Sequence, residues 1–148
     1  MIELRDISKT YSSQAGNVEV LKGVSFSIKR GDYVCIRGAS GSGKSTLLNI
    51  LGCLDAPSGG HYSILQQPIH QYTEAQKSIV RREHIGFVFQ RFHLIPTYTA
   101  LRNVELPLIY ARMAERERMR RAREALEQMG LGDRIEHLPN QLSGGQQQ

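Results

Sequence analysis

Apolar and polar positions change rhythm several times along the chain, and each rhythm predicts an element. Ile2-Glu3-Leu4-Arg5-Asp6-Ile7 alternates at period two, as a half-buried strand does. Val20-Leu21, then Val24, Phe26 and Ile28, alternate again up to the turn Arg30-Gly31-Asp32. Between these strands the polar stretch Ser12 to Asn17, with Tyr11 just ahead of it, reads as a loop. Tyr33-Val34-Cys35-Ile36 is a short apolar run that suits a buried strand. Leu47, Leu48, Ile50, Leu51 and Leu54 then recur at helical spacing. Asp55-Ala56-Pro57-Ser58-Gly59-Gly60 is a turn, followed by a short strand from His61 to Leu65. Thr73-Glu74-Ala75-Gln76 fits a capping box and opens a helix to about Arg82. His84-Ile85-Gly86-Phe87-Val88-Phe89 predicts another strand, ending at Gln90.

From Arg91 onward the pattern is helical. Thr99 to Glu105 forms a turn or two, and Pro107 fits best at the start of a following helix. Residues 114–129 give the clearest helix, with Met119, Ala122, Leu126 and Met129 on one stripe and charges opposite. Gly130 and Gly132 stop it. Leu142-Ser143-Gly144-Gly145-Gln146 holds a second capping box, Ser143 with Gln146, so a helix begins there with N–H groups exposed at two glycines. That makes it a second candidate phosphate site.

The chemistry concentrates where a strand gives way to a helix. Gly38-Ala39-Ser40-Gly41-Ser42-Gly43-Lys44-Ser45-Thr46 satisfies G-x-x-x-x-G-K-[ST] at Gly38, Gly43, Lys44 and Ser45. Glycines let the backbone turn tightly and aim N–H groups at phosphate oxygens. The following helix offers its unpaired N–H groups and the positive end of its dipole to the same anion. Lys44 adds a mobile cation for the β- and γ-phosphates, and the Ser45 hydroxyl is a ligand for Mg²⁺. A run that suits a buried strand before the loop and a helical pattern after it meet the context this motif requires, so a nucleoside-triphosphate site is expected.

Composition changes this picture little. A chain of 148 residues can bury one core, and 40% apolar with 22% charged residues is ordinary for a globular protein. Lys and Arg outnumber Asp and Glu by 19 to 14, yet six arginines lie between Arg112 and Arg123 among Glu115, Glu117 and Glu124. Glu117/Arg121, Arg120/Glu124 and Arg123/Glu127 are spaced i,i+4, so a solvated, ion-paired helix face accounts for the excess and nucleic acid is not expected as a partner. Cys35 and Cys53 have no C-x-x-C spacing and are expected to be packed thiols. The five histidines show no metal-ligand spacing. No signal peptide and no bilayer-length apolar run is present, so a cytosolic chain is expected, reaching a membrane only through a partner.

A phosphate loop, a strand ending in glutamine, a helical segment and then L-S-G-G-Q, in that order, resembles the nucleotide-binding domain of ABC ATPases over the whole chain. The resemblance implies an α/β fold: a P-loop NTPase core with an antiparallel β subdomain and a helical subdomain. Residues 1–90 would form the core with its β subdomain, and residues 91–148 an incomplete helical subdomain carrying the signature. It further implies that Tyr11 stacks on adenine, that Gln90 contacts Mg²⁺ and the attacking water, and that ATP and Mg²⁺ are the ligands. Ser143, Gly144, Gly145 and Gln146 would contact ATP held by the opposite subunit of a homodimer. Phe87-Val88-Phe89-Gln90, Leu94-Ile95-Pro96, and Thr99-Ala100 with Asn103-Val104-Glu105-Leu106-Pro107-Leu108 resemble the macrolide-export and lipoprotein-release subgroup, as does Gln146-Gln147-Gln148. In that subgroup a membrane permease docks after the glutamine, here near residues 90–108, at the inner face of the cell membrane. Gln66-Gln67-Pro68 departs from the glycine turn common there.

Members of the family continue with a strand bearing a Mg²⁺-binding aspartate and a catalytic glutamate, then a histidine switch. The sequence ends at Gln148 before these, so the C-terminal part of the core and the general base are expected to be missing from these residues. Two readings therefore stand: the N-terminal part of a transporter ATPase, or a non-catalytic nucleotide-binding fragment. A DNA-repair or chromosome-structuring ATPase is a third, and it calls for coiled coil or zinc-binding insertions between loop and signature. Neither heptads nor C-x-x-C motifs occur there.

Overall fold

Leu4 and Ile7 are both buried although an odd spacing should put them on opposite faces of a strand. The computed structural model, which describes residues 1–14 and 16–148, resolves this with a bulge. Strand β1 (Ile2–Ser13) shifts register against β2 (Gly16–Ile28) between Leu4 and Ile7, where Asp6 takes φ 50° and donates its N–H to Ser25 Oγ at 2.8 Å. The extra residue re-phases the strand, so both side chains point into one core. β1 also pairs with β3 (Gly59–Ile64), which pairs with the two-residue β4 (Gln67–Pro68). The sheet is antiparallel throughout, in the order β2-β1-β3-β4.

Both first strands are longer than their alternation predicts, and Tyr11 lies within β1 opposite Val18 rather than in a loop. Cross-strand hydrogen bonding carries the ladder through polar residues that periodicity reads as a turn. Ala15, within the stretch expected to be a loop, lies outside the described residues.

Helix α1 (Lys44–Leu51) lays Leu47 and Ile50 into the core formed by Leu4, Ile7, Leu21, Tyr62 and Ile64, while Leu48 and Leu54 stay exposed. Helix α2 (Glu74–His84) adds Val80 to the same core. Its N-terminus carries the expected capping box: Gln76 N–H donates to Thr73 Oγ1 at 3.3 Å, and Thr73 N–H to Gln76 Oε1 at 2.9 Å. Residues Met1–Gly86 form one compact unit.

The second unit is Phe87–Gln148. Helix α3 (Ala100–Tyr110) packs against α4 (Glu115–Gln128) through Ala100, Leu101, Ala122 and Leu126, with Leu142 closing the cluster. Pro107 lies inside α3, not at the start of a new helix. It falls in the later part of the helix, where only the hydrogen bond to the Asn103 carbonyl is forgone, and its own carbonyl still accepts from Ala111 N–H. On α4, Met119 is partly buried but Met129 is 77% exposed, because the helix ends at Gln128 and Gly130, at φ 71°, turns the chain away. Glu117/Arg121 and Arg120/Glu124 form the expected ion pairs at 2.7 and 2.5 Å. Arg123 and Glu127 make none among the described residues.

Two expected strands are absent among the described residues. Tyr33 to Ile36 and His84 to Phe89 are not laddered: His84 is the last residue of α2, and Tyr33 and Val88 are 97% and 87% exposed. Cys35 is accordingly exposed rather than packed, whereas Cys53 is buried. An apolar run becomes a strand only where another strand offers it hydrogen bonds, and none does so here. Among the described residues no helix is long and apolar enough to cross a membrane.

Candidate functional site

The phosphate-loop sequence folds into a tight turn closed by its own lysine. Ser42 N–H donates to Ala39 O at 3.3 Å, and Gly41 and Gly43 take φ 78° and 86°. At Gly43 the glycine is required twice over: a Cβ there would stand 2.9 Å from Leu21 Cδ2 and 3.0 Å from Val20 O. Gly43 is also the N-cap of α1, and its carbonyl accepts from Leu47 N–H at 2.8 Å. The N–H groups of Lys44, Ser45 and Thr46 thus face outward from the first turn with no intrahelical acceptor. Lys44 Nζ reaches back to Gly38 O at 2.9 Å and Ala39 O at 2.6 Å, which holds the ammonium across the loop. Ser45 is exposed one residue further on. These groups suit an anion with a divalent cation beside it: backbone donors, one cation and one free hydroxyl.

The far end of α1 is held as firmly. Tyr62 donates its hydroxyl to Leu51 O at 2.5 Å, and Arg81 Nη1 donates to Cys53 O at 2.7 Å. Burial raises both the Cys53 thiol and the Tyr62 phenol above their ordinary values, so both stay neutral. Asp55 follows. Its Oδ2 accepts from Tyr11 Oη at 2.7 Å, and its Oδ1 from Lys9 Nζ at 2.6 Å and Ala56 N–H at 2.7 Å. Burial works to raise the Asp55 carboxyl, but the hydrogen bonds from Lys9, Tyr11 and Ala56 outweigh it and hold the group below the usual carboxylate value. Lys9 Nζ also lies 4.8 Å from the Tyr11 ring centroid.

The first unit thus holds Tyr11 and residues Gly38 to Thr46, and the second holds Gln90 and the signature residues. Gln90 is exposed in an irregular segment. Ser143 caps α5 (Gly144–Gln147): Gln146 N–H donates to Ser143 Oγ at 3.3 Å, and Ser143 N–H to Gln146 Oε1 at 2.8 Å. Ser143, Gly144, Gly145 and Gln146 are all exposed.

Three residues gain roles that no local pattern predicts. Asn103 clamps the turn before α3, accepting from Ile95 N–H at 2.8 Å and donating to Ile95 O, Tyr98 O and Thr99 O at 3.2, 3.0 and 3.1 Å. Glu105 is fully buried and pairs with Arg118 of α4 at 2.5 Å. Asp55 is the third. The Asn103 partners are irregular backbone within eight residues, which periodicity does not register, and those of Glu105 and Asp55 lie as far as 13 and 46 residues away.

The glycine-rich loop on a helix N-terminus defines a phosphate-binding α/β fold, and the helical unit ends in a capped L-S-G-G-Q. Residues 21–148 match the ABC transporter family, and the chain belongs to it. An uncharacterized ABC transporter ATP-binding protein of Thermotoga maritima is 54% identical over 148 residues, all of this chain and 63% of that protein. The pyoverdine export ATP-binding/permease protein PvdT of Pseudomonas aeruginosa is 54% identical over 149 residues, covering all of this chain and 22% of its own length. A macrolide export ATP-binding/permease protein, MacB 1 of Yersinia pestis, is 51% identical, again over the whole chain and 23% of its own. Among solved structures, the dimeric bacterial ABC transporter cassette MJ0796 matches with a TM-score of 0.88 and 48% identity over 99% of this chain. A post-hydrolysis dimer of that cassette, bound to ADP and Pi, matches with 0.88 and 47%. The chain spans 65% of the cassette's length and 63% of the Thermotoga relative's. The α/β fold with its antiparallel sheet and helices is the one expected.

Proposed function

We propose that the chain is the ATP-binding part of a transporter ATPase, coupling ATP binding and hydrolysis to an export or lipoprotein-release permease. The phosphate loop carries this reading: glycine-shaped backbone, the Lys44 ammonium and the free N–H groups of α1 form one anion cradle. Gly38, Ala39, Ser40, Gly41, Ser42, Gly43, Lys44, Ser45 and Thr46 would bind the phosphates, with Lys44 as the cation, and Tyr11 the base. Ser45 and Gln90 would hold Mg²⁺, which when bound neutralises charge on the phosphate oxygens. Gln90 would orient water, and Ser143, Gly144, Gly145 and Gln146 would close on the nucleotide of a second copy. Fixed donors of this kind lower the barrier to phosphoryl transfer by stabilising charge as it develops.

Residues 1–90 are assigned to the nucleotide-binding core with its β subdomain and residues 91–148 to the helical signature subdomain. The permease is assigned to residues 90–108. Support comes from the Asn103 clamp on the turn at Ile95–Thr99, which fixes a surface bearing the part-exposed Phe92 and Tyr98. Such a chain works at the cytoplasmic face of the membrane through that partner.

The test is equilibrium binding of Mg-ATP to the full-length protein and to its Lys44→Ala form. Removing a close, charge-assisted donor should weaken binding at least about tenfold. Equal affinity in the two proteins would sink the assignment of this loop.

A further inference from the structure

Tyr11 and Asp55 are 44 residues apart in sequence and 2.7 Å apart in space, and the contact is one part of a fully used carboxylate. One oxygen takes the Tyr11 hydroxyl; the other takes the Lys9 ammonium and the Ala56 N–H. Lys9 donates in addition to Ala56 O at 2.7 Å and lies against the Tyr11 ring. A neutral amide would replace the carboxylate only in part: its oxygen could accept from Lys9 and Ala56 while its NH2 donated to the Tyr11 hydroxyl, with the charge that pairs with Lys9 lost.

Asp55 is itself tied to the helix that begins in the phosphate loop. Cys53 N–H donates to Ile50 O at 3.0 Å, and Leu54 and Asp55 N–H groups both donate to Asn49 O, at 2.8 and 3.2 Å. The hydrogen bonds from Tyr62 to Leu51 O and from Arg81 to Cys53 O brace the same segment from the side. An unbroken hydrogen-bonded path therefore runs from Lys44, through α1 and its C-terminal turn, to the carboxylate that holds Tyr11. Tyr11 needs such an anchor, for it is 41% exposed near the end of β1, just past the register shift between Lys9 and Thr10.

We propose that Asp55, with Lys9, is a positioning residue for the nucleotide base: it fixes the Tyr11 ring relative to the phosphate loop, so that base and phosphates meet one rigid unit. The proposal rests on the reading of Tyr11 as the adenine platform. It gives the Tyr11 hydroxyl a task, so both the hydroxyl and the carboxylate should matter to ATP and neither to a ligand without a base.

The experiment compares equilibrium binding of Mg-ATP and Mg-tripolyphosphate to the full-length protein and to Tyr11→Ala, Tyr11→Phe, Asp55→Ala and Asp55→Asn. Loss of base stacking in Tyr11→Ala should weaken ATP about tenfold or more. Loss of the hydrogen bond that anchors the Tyr11 ring, by Tyr11→Phe or by Asp55→Ala, should weaken it about fivefold, with Asp55→Asn between the unaltered protein and Asp55→Ala. Tripolyphosphate affinity should stay within about twofold in every variant, which also reports that each is folded around its phosphate loop. Combined with Tyr11→Phe, Asp55→Ala should add less than about twofold, because it acts through the hydroxyl. Unchanged ATP affinity in Tyr11→Ala would overturn the stacking reading and this proposal with it. A weakened Tyr11→Ala beside an unaffected Asp55→Ala would overturn the proposal alone. Parallel losses of ATP and tripolyphosphate, or additive losses in the double variant, would reduce the contact to a structural tie and equally overturn it.

Discussion

Gln66 occupies a conformation that favours glycine. The hairpin joining β3 to β4 has a two-residue loop, Leu65 at φ 49° and Gln66 at φ 68°, with Ile64 paired to Gln67. Positive φ at both central residues is the turn whose twist matches antiparallel strands, and Asn-Gly is its preferred sequence. A left-handed L-residue costs about 1–2 kcal/mol, against a smaller entropic cost for placing glycine there. Gln66 is exposed and Leu65 N–H donates to Met1 O at 2.8 Å, so the backbone is held in this shape whatever side chain stands at 66. Gln66→Gly should therefore stabilise the protein by about 0.5–1 kcal/mol in urea unfolding of the full-length chain. A destabilised variant would show that the Gln66 side chain contributes something the backbone geometry does not.

Helices α3 and α4 are joined by a charge as well as by apolar packing. The Glu105 side chain is 1% exposed and meets Arg118 at 2.5 Å, while the more exposed Arg102 approaches its other oxygen at 3.5 Å. Arg118→Ala would leave a buried carboxylate with that weaker partner alone. Breaking such a pair costs about 3–5 kcal/mol, and Arg102 keeps the loss near the lower end. Urea unfolding should show about 3 kcal/mol, and the joint replacement Glu105→Gln with Arg118→Met should cost less than Arg118→Ala. A loss under about 1 kcal/mol would mean that Arg102 suffices. This pair also marks the limit of legibility. The capping boxes at Thr73 and Ser143, the phosphate loop and helices α1, α2 and α4 were legible because each depends on residues within one or two turns. The ion pair joins residues 13 apart, and the Asp55 anchor residues 44 apart. The runs at Tyr33–Ile36 and His84–Phe89 carry a strand pattern without forming strands for a related reason. Alternation or apolarity states which residues could be paired, and pairing itself depends on a neighbouring strand.

Those two runs govern the behaviour of the molecule as a whole. Tyr33, Val34 and Val88 are exposed by 97%, 48% and 87%, with Phe87 and Phe89 stacked on each other at 5.3 Å and part-exposed. Extended apolar backbone without ladder partners is a template for pairing with another chain. The family's longer members extend beyond the span matched here, to which 63% of the Thermotoga relative corresponds. A protein consisting of residues 1–148 alone should accordingly self-associate, where one extended to the relatives' length should not. The groups that Lys44 meets are Gly38 O, Ala39 O and Ser42 Oγ, none of them a carboxylate that could serve as general base. Phosphate release by the 148-residue protein should match its own Lys44→Ala blank, and the extended protein should turn over ATP. Light scattering and phosphate assays on the two lengths measure both halves. Magnesium-dependent, Lys44-dependent turnover by the short protein would place the general base within residues 1–148, and one of its carboxylates would then have to take the role assigned outside them.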